Sequence, residues 1–189
     1  MNLNKLLIGA LCAAGVLGAR AENVAIAQSS LVGENIVEFI PQGFDQTKTP
    51  SLILKEEPTT QGATPADWEL VPQFTLVDGK ACASLSLTGE ISLYGGGEVT
   101  GPLLRNGQYI KLWNTDTGAY GVDGGKRLYQ SHPWVMGVRR DGTAFGILFD
   151  TSWKAELTTN SDKIEFNTEG ALFRIFIIDR ESPKACLLY

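Results

Sequence analysis

The chain has 189 residues, 43% of them hydrophobic and 20% charged, with a formal net charge of −5. That composition describes one globular domain with a real core, or one domain and a tail, and excludes a disordered chain. The acidic balance excludes nucleic acid and anionic membrane surfaces as partners, because both need a basic face, and leaves neutral ligands open.

Residues 1–21 read MNLNKLLIGALCAAGVLGARA: one lysine (Lys5), an apolar run over 6–17, then Ala19-Arg20-Ala21. This order of charge, apolar stretch and small-x-small site is that of a secretory signal peptide. The apolar run is about twelve residues, short of the ~20 that span a bilayer. Residues 1–21 are therefore expected to be removed on export, leaving a periplasmic or extracellular chain with no membrane insertion. Leu11 ahead of Cys12 does not suit a lipid-anchor site.

From residue 22 onward the pattern is that of short strands. IVEFI at 36–40 is β-branched and aromatic and ends at Pro41; SLIL at 51–54 follows Pro50. FTLV at 74–77 runs into Asp78-Gly79, a strong hairpin signal, and ASLSL at 83–87 alternates with period two. WVMGV at 134–138 and AFGILF at 144–149 flank Arg139-Arg140-Asp141-Gly142, and further strands are predicted at 154–157, 163–166 and 172–178. No window beyond residue 21 sustains an apolar i, i+3, i+4, i+7 pattern. The expected fold class is all-β, a sandwich or a barrel of antiparallel strands.

The chain offers little chemistry of its own. Gly95-Gly96-Gly97 lacks the third glycine and the following helix of a phosphate-binding loop, and is expected to be a tight turn after a strand. Ser131-His132 sits in no nucleophile-elbow pattern. Asp116 and Asp123 share one glycine-rich segment without the rigid support a glycosidase carboxyl pair needs. His132 is the only histidine and Cys82 and Cys186 are far apart, so no metal site and no disulfide framework is legible. No cofactor is called for.

An ordered set of motifs carries more. LYGGGE at 93–98, LLRNG at 103–107, WNTD at 113–116, LYQSHPW at 128–134 and GTAFGILFDTSW at 142–153 follow one another in the chain. In this order they resemble the N-terminal region of glycoside hydrolase family thirty-one, the α-glucosidase and α-xylosidase family. Trp134 in place of phenylalanine, and Thr151-Ser152 where asparagine is common, are mild departures. Residues 22–90 match in strand rhythm only.

The resemblance implies an antiparallel β-sandwich of the galactose-mutarotase-like kind over 22–182. It also implies that 183–189 lead towards a (β/α)₈ barrel on which the family's nucleophile and acid/base aspartates lie. Such a barrel takes roughly 200–250 residues, more than the 189 of the whole chain. The expectation is thus a non-catalytic fragment of a retaining α-glycosidase, inactive alone, with an α-glycoside and the missing barrel as partners. A free-standing secreted sandwich that binds carbohydrate or protein is the alternative.

The resemblance further implies that the WNTD loop reaches over the barrel mouth, with Asp116 accepting hydrogen bonds from sugar hydroxyls. Trp113 offers a flat face to a sugar or packs the base of the loop, and packing is the expected role. Asn114 and Thr117 are expected to tie the loop to itself by side-chain to backbone bonds.

Overall fold

A computed structural model of the protein describes residues 20–53, 57–121 and 123–187. The expected signal segment lies almost wholly outside them, as does Leu54. Among the described residues thirteen strands run in order: β1 (Ala21–Val24), β2 (Ile26–Gly33), β3 (Ile36–Pro41), β4 (Gly62–Ala63), β5 (Gln73–Val77), β6 (Lys80–Ser86), β7 (Ile91–Gly95), β8 (Gln108–Leu112), β9 (Trp134–Arg139), β10 (Ala144–Asp150), β11 (Ala155–Thr159), β12 (Lys163–Thr168) and β13 (Arg174–Arg180). A short helix α1 (Pro183–Leu187) follows. They form two sheets, β1-β5-β6-β12-β11-β8 and β4-β2-β3-β13-β10-β9-β7. The pairings in both sheets are antiparallel, as in Leu157 opposite Phe166 and Ile177 opposite Val37. The fold is the expected all-β sandwich.

Turn chemistry sets the registers. Val77 pairs with Lys80 across Asp78 and Gly79. Both turn residues have positive φ, 51° and 77°, as a two-residue hairpin with the right-handed strand twist requires. At the β9–β10 turn Gly142 takes φ 89° after Asp141, and its N–H donates to the Arg139 carbonyl at 3.0 Å.

The strand patterns report what covers each face. β12 alternates partly exposed Lys163, Glu165 and Asn167 with buried Ile164, Phe166 and Thr168, the signature of a sheet with one wet face. β10 and β13 are buried on both faces. Their inner side chains, with those of β3, β5, β6 and β12, make the main core between the sheets, where Phe149 of β10 stacks on Phe166 of β12 at 4.2 Å. Their outer side chains, Ala144, Phe176 and Ile178, join Val32, Ile36 and Cys186 of α1 in a second, smaller core. Each fully buried large side chain contributes roughly 1.5–3 kcal/mol. Gly137 is required opposite Phe145, because a Cβ there would lie 2.1 Å from the Phe145 ring.

The expected strand at 51–54 is corrected: residues 51–53 form a loop instead. The Ser51 hydroxyl donates to Asp150 at 2.9 and 2.8 Å and the Leu52 N–H donates to Asp150 at 2.7 Å. A buried carboxylate, not a strand neighbour, takes up the donors that would have entered a ladder. Cys82 in β6 and Cys186 in α1 make no disulfide with one another, and both are buried.

Candidate functional site

The connection from β8 to β9, residues 113–133, is a long loop with two short 3₁₀ turns, Gly118–Tyr120 and Asp123–Gly125. Backbone bonds hold its two limbs together: Lys111 N–H donates to the Lys126 carbonyl at 3.1 Å and Thr115 N–H to the Leu128 carbonyl at 2.7 Å. The glycine run after β7 braces the outer limb. Gly96 N–H donates to the Trp134 carbonyl (3.0 Å) and Glu98 N–H to the Gln130 carbonyl (2.9 Å). A Cβ at Gly97 would lie 2.4 Å from the Gln130 oxygen. These glycines permit backbone-to-backbone contact with the loop, which is the use of glycine where chains approach closely.

Asp123 is a clamp inside the loop. Its carboxylate lies 3.2 Å from the Lys111 ammonium and 2.8 Å from the Arg127 guanidinium. The hydrogen bond from Lys111, helped by the charge of Lys111 and by Arg127, holds its pKa below the ordinary aspartate value. Asp116 is placed differently. It is exposed, and its Oδ1 accepts a hydrogen bond from the Tyr129 hydroxyl at 3.1 Å. That bond is the main cause pushing the Tyr129 phenol above its usual pKa. Tyr129 is held in turn by its own N–H, which donates to Glu98 Oε2 at 3.3 Å. Asp116 therefore presents a carboxylate to solvent from a loop braced on both sides, with acceptor capacity left for further donors.

The other expected site residues divide. Trp113 is 49% exposed, whereas its neighbours Leu112 and Leu128 are buried. Asn114 is exposed. Thr117 is buried and extended (φ −127°, ψ 112°), and among the described residues its hydroxyl has no hydrogen-bond partner. The expected ties from Asn114 and Thr117 are thus corrected: Thr115 supplies one instead, its hydroxyl donating to the Trp113 carbonyl at 3.2 Å. His132 is exposed beside Ser131. No group of three His, Cys, Asp or Glu among the described residues is placed to hold a metal ion.

Reading residue types one motif at a time misses Tyr129 and Trp153. Tyr129 reaches Asp116 only because the two loop limbs are zipped together. Trp153 is 42% exposed and shares with Trp113 a cleft of about 360 Å³, also lined by Leu52, Leu112, Asn114 and Pro133 among others.

Two face-to-face antiparallel sheets with one long braced loop at the edge define a galactose-mutarotase-like sandwich. The family model described as glycosyl hydrolase 31 N-terminal galactose mutarotase-like domain matches residues 45–157, and the chain belongs to that family. The match reaches upstream of residue 90 into the part that resembles the family in strand rhythm only. Among curated relatives, alpha-glucosidase 2 of Bacillus thermoamyloliquefaciens is 35% identical over 111 residues, covering 58% of this chain and 14% of that protein. An alpha-xylosidase of Emericella nidulans is 28% identical over 112 residues, covering 58% and 13%. The chain thus spans a small fraction of the length of these relatives. Among solved structures, a family 31 alpha-glucosidase from Bacteroides thetaiotaomicron is 73% identical over 57% of this chain and 18% of its own, with a TM-score of 0.53. A GH31 dextranase from Flavobacterium johnsoniae, solved with glucose, shares the fold over 87% of this chain and 26% of its own, at 21% identity and TM-score 0.57.

Proposed function

We propose that this sandwich is the non-catalytic N-terminal domain of a retaining α-glycosidase acting on α-glucosides or related α-glycosides, and that it lends the 113–133 loop to substrate binding. The observation that carries the reading is the Asp116 carboxylate, exposed on a loop whose other carboxylate, Asp123, is already engaged by two cations. A carboxylate can accept from two vicinal hydroxyls at once, and such charge-assisted bonds are stronger than neutral ones. The names of the relatives support a carbohydrate partner. The chemical step belongs to a carboxyl pair on rigid elements of a separate catalytic barrel.

The test joins this sandwich to a family 31 catalytic domain and compares Asp116→Ala with the parent on aryl α-glucosides and α-xylosides. Charge-assisted bonds are worth roughly 1.5–3 kcal/mol, so kcat/KM should fall about ten- to a hundred-fold. Folding should be little affected, as exposed sites usually change stability within about ±0.5 kcal/mol. The sandwich alone should show no turnover. An unchanged kcat/KM would reduce the loop to a turn.

We also propose export with cleavage after Ala21. Cleavage there leaves Glu22, Asn23 and Val24 paired with Leu76, Thr75 and Phe74. N-terminal sequencing of exported protein should begin Glu22-Asn23; a mature protein that keeps Met1 sinks this proposal.

A further inference from the structure

Trp113 and Trp153 come from different parts of the chain, the β8–β9 loop and the turn between β10 and β11, yet they line one cleft of about 360 Å³. That volume falls within the range of small-molecule sites, which are mostly apolar with a few placed polar groups. Leu52, Leu112 and Pro133 line it with apolar side chains, and buried Thr151 with a polar one. Asn114, Ser131 and Ser152 are its remaining polar lining residues. The side chains of these three make no hydrogen bond to another described residue. Asp116 does not line the cleft, and among the described residues neither does any other charged side chain.

Trp153 is fixed, not merely exposed. A Cβ built at Gly170 would lie 2.3 Å from Trp153 Cδ1 and Cγ, so one face of the indole rests on that glycine. Its indole N–H donates to the Lys48 carbonyl at 3.3 Å, and its backbone N–H donates to the Thr151 hydroxyl at 3.2 Å. With one face seated and the donor engaged, the exposed part of the ring is a preorganised apolar platform, which lowers the ordering cost of binding. Trp113, half-exposed, adds a second indole whose N–H has no partner among the described residues and is available to a ligand.

We propose that this cleft is a separate binding subsite for one hexopyranose unit of a neutral α-glucan, seated against Trp153 and Trp113. A pyranose ring has an apolar C–H face, which the electron-rich face of an indole attracts, and a rim of hydroxyls that Asn114, Ser131 and Ser152 can meet. A cleft with no charged lining residue among those described favours a neutral ligand over an ionic one, because a charge buried there would be uncompensated. The choice of a sugar rests on the carbohydrate reading above; the separation from Asp116 rests on geometry alone.

The experiment is a titration of the purified chain with maltotriose and, in parallel, isomaltotriose, followed through indole N–H resonances and calorimetry. The chain has four tryptophans, so each indole serves as its own reporter. Signals of Trp113 and Trp153 should move, while those of Trp68 and Trp134 should stay. Trp113→Ala and Trp153→Ala should each weaken binding at least about tenfold, and Glu90→Gln, at an exposed residue outside the cleft, should leave it within about twofold. Trp113 is free of the Gly170 packing, so its variant keeps the test valid if Trp153→Ala fails to fold. The proposal is overturned if neither trisaccharide moves the two indoles, if the Trp113→Ala protein binds as the parent does, or if Asp116→Ala abolishes the titration. That last result would place the sugar at the loop carboxylate and leave the proposed role of Asp116 standing.

Discussion

Phe166→Ala should cost the sandwich about 3–5 kcal/mol, a large part of the 5–15 kcal/mol that holds a typical domain folded. Phe166 lies in β12 of the six-stranded sheet and is fully buried. Its ring stacks on Phe149 of β10, in the opposite sheet, at 4.2 Å with the planes 4° apart, and meets Phe173 edge-on at 5.3 Å. Truncation removes the transfer free energy of the ring and leaves a cavity whose walls belong to both sheets. Those walls cannot close without moving one sheet against the other. The lost aromatic contacts add about 0.5–1.5 kcal/mol beyond area. Phe166→Leu keeps much of the volume and should cost clearly less than Phe166→Ala. Urea denaturation of the three proteins provides the check. A loss under about 1 kcal/mol for the alanine variant would show that the stack is not what joins the sheets.

The difference between the two sheets also explains what could be read from sequence. Strands β3, β5, β6, β9, β10, β11, β12 and β13 are rich in β-branched or aromatic residues or alternate, and they are the strands expected near those positions. β8, Gln-Tyr-Ile-Lys-Leu, also alternates, but it sits between two glycine-rich segments that masked it. β2, Ile-Ala-Gln-Ser-Ser-Leu-Val-Gly, has an exposed first half and two register shifts against β3, which break the period on which sequence patterns rest. β1 and β4 are short edge strands, and α1 is too short for any helical period to show. In the loop, Asp116 stood out as part of an ordered motif set. Its partner Tyr129 did not, because their contact depends on the pairing of two loop limbs. Ser51 failed in the opposite sense. An apolar run after a proline suggested a strand, and a buried aspartate from β10 took its donors.

The same aspartate belongs to the cluster from which the second large effect is expected. Arg174 in β13 is buried, and its guanidinium donates to Asp150 Oδ2 at 2.7 Å and to Glu38 Oε1 at 3.1 Å. It also pairs with the half-exposed Glu57 at 2.7 Å and lies over the Phe176 ring at 5.1 Å. One cation thus faces two buried carboxylates and one at the surface. Arg174→Met keeps most of the apolar volume and removes the charge, leaving Asp150 and Glu38 buried together. Breaking a buried pair in this way costs about 3–5 kcal/mol, measured near neutral pH. The pH dependence follows from Glu38, whose pKa is pushed above the ordinary glutamate value chiefly by burial, while Arg174 pulls it down. A carboxyl with a raised folded pKa contributes stability that is present below its unfolded pKa and is lost as pH rises through the folded one. Without Arg174 the Glu38 pKa climbs further, so protonation relieves the variant over a wider range. Glu57 acts in the same direction, since the hydrogen bond from Arg174 holds its pKa down and the parent loses that benefit as pH falls. The stability gap between parent and Arg174→Met should therefore be largest near pH 7.5 and shrink towards pH 5. Adding Glu38→Gln to the variant should recover part of the loss at pH 7.5 and flatten the trend. Urea unfolding of the three proteins at both pH values decides the matter. A gap that stays constant or widens on acidification would mean that Glu38 is not the group left stranded.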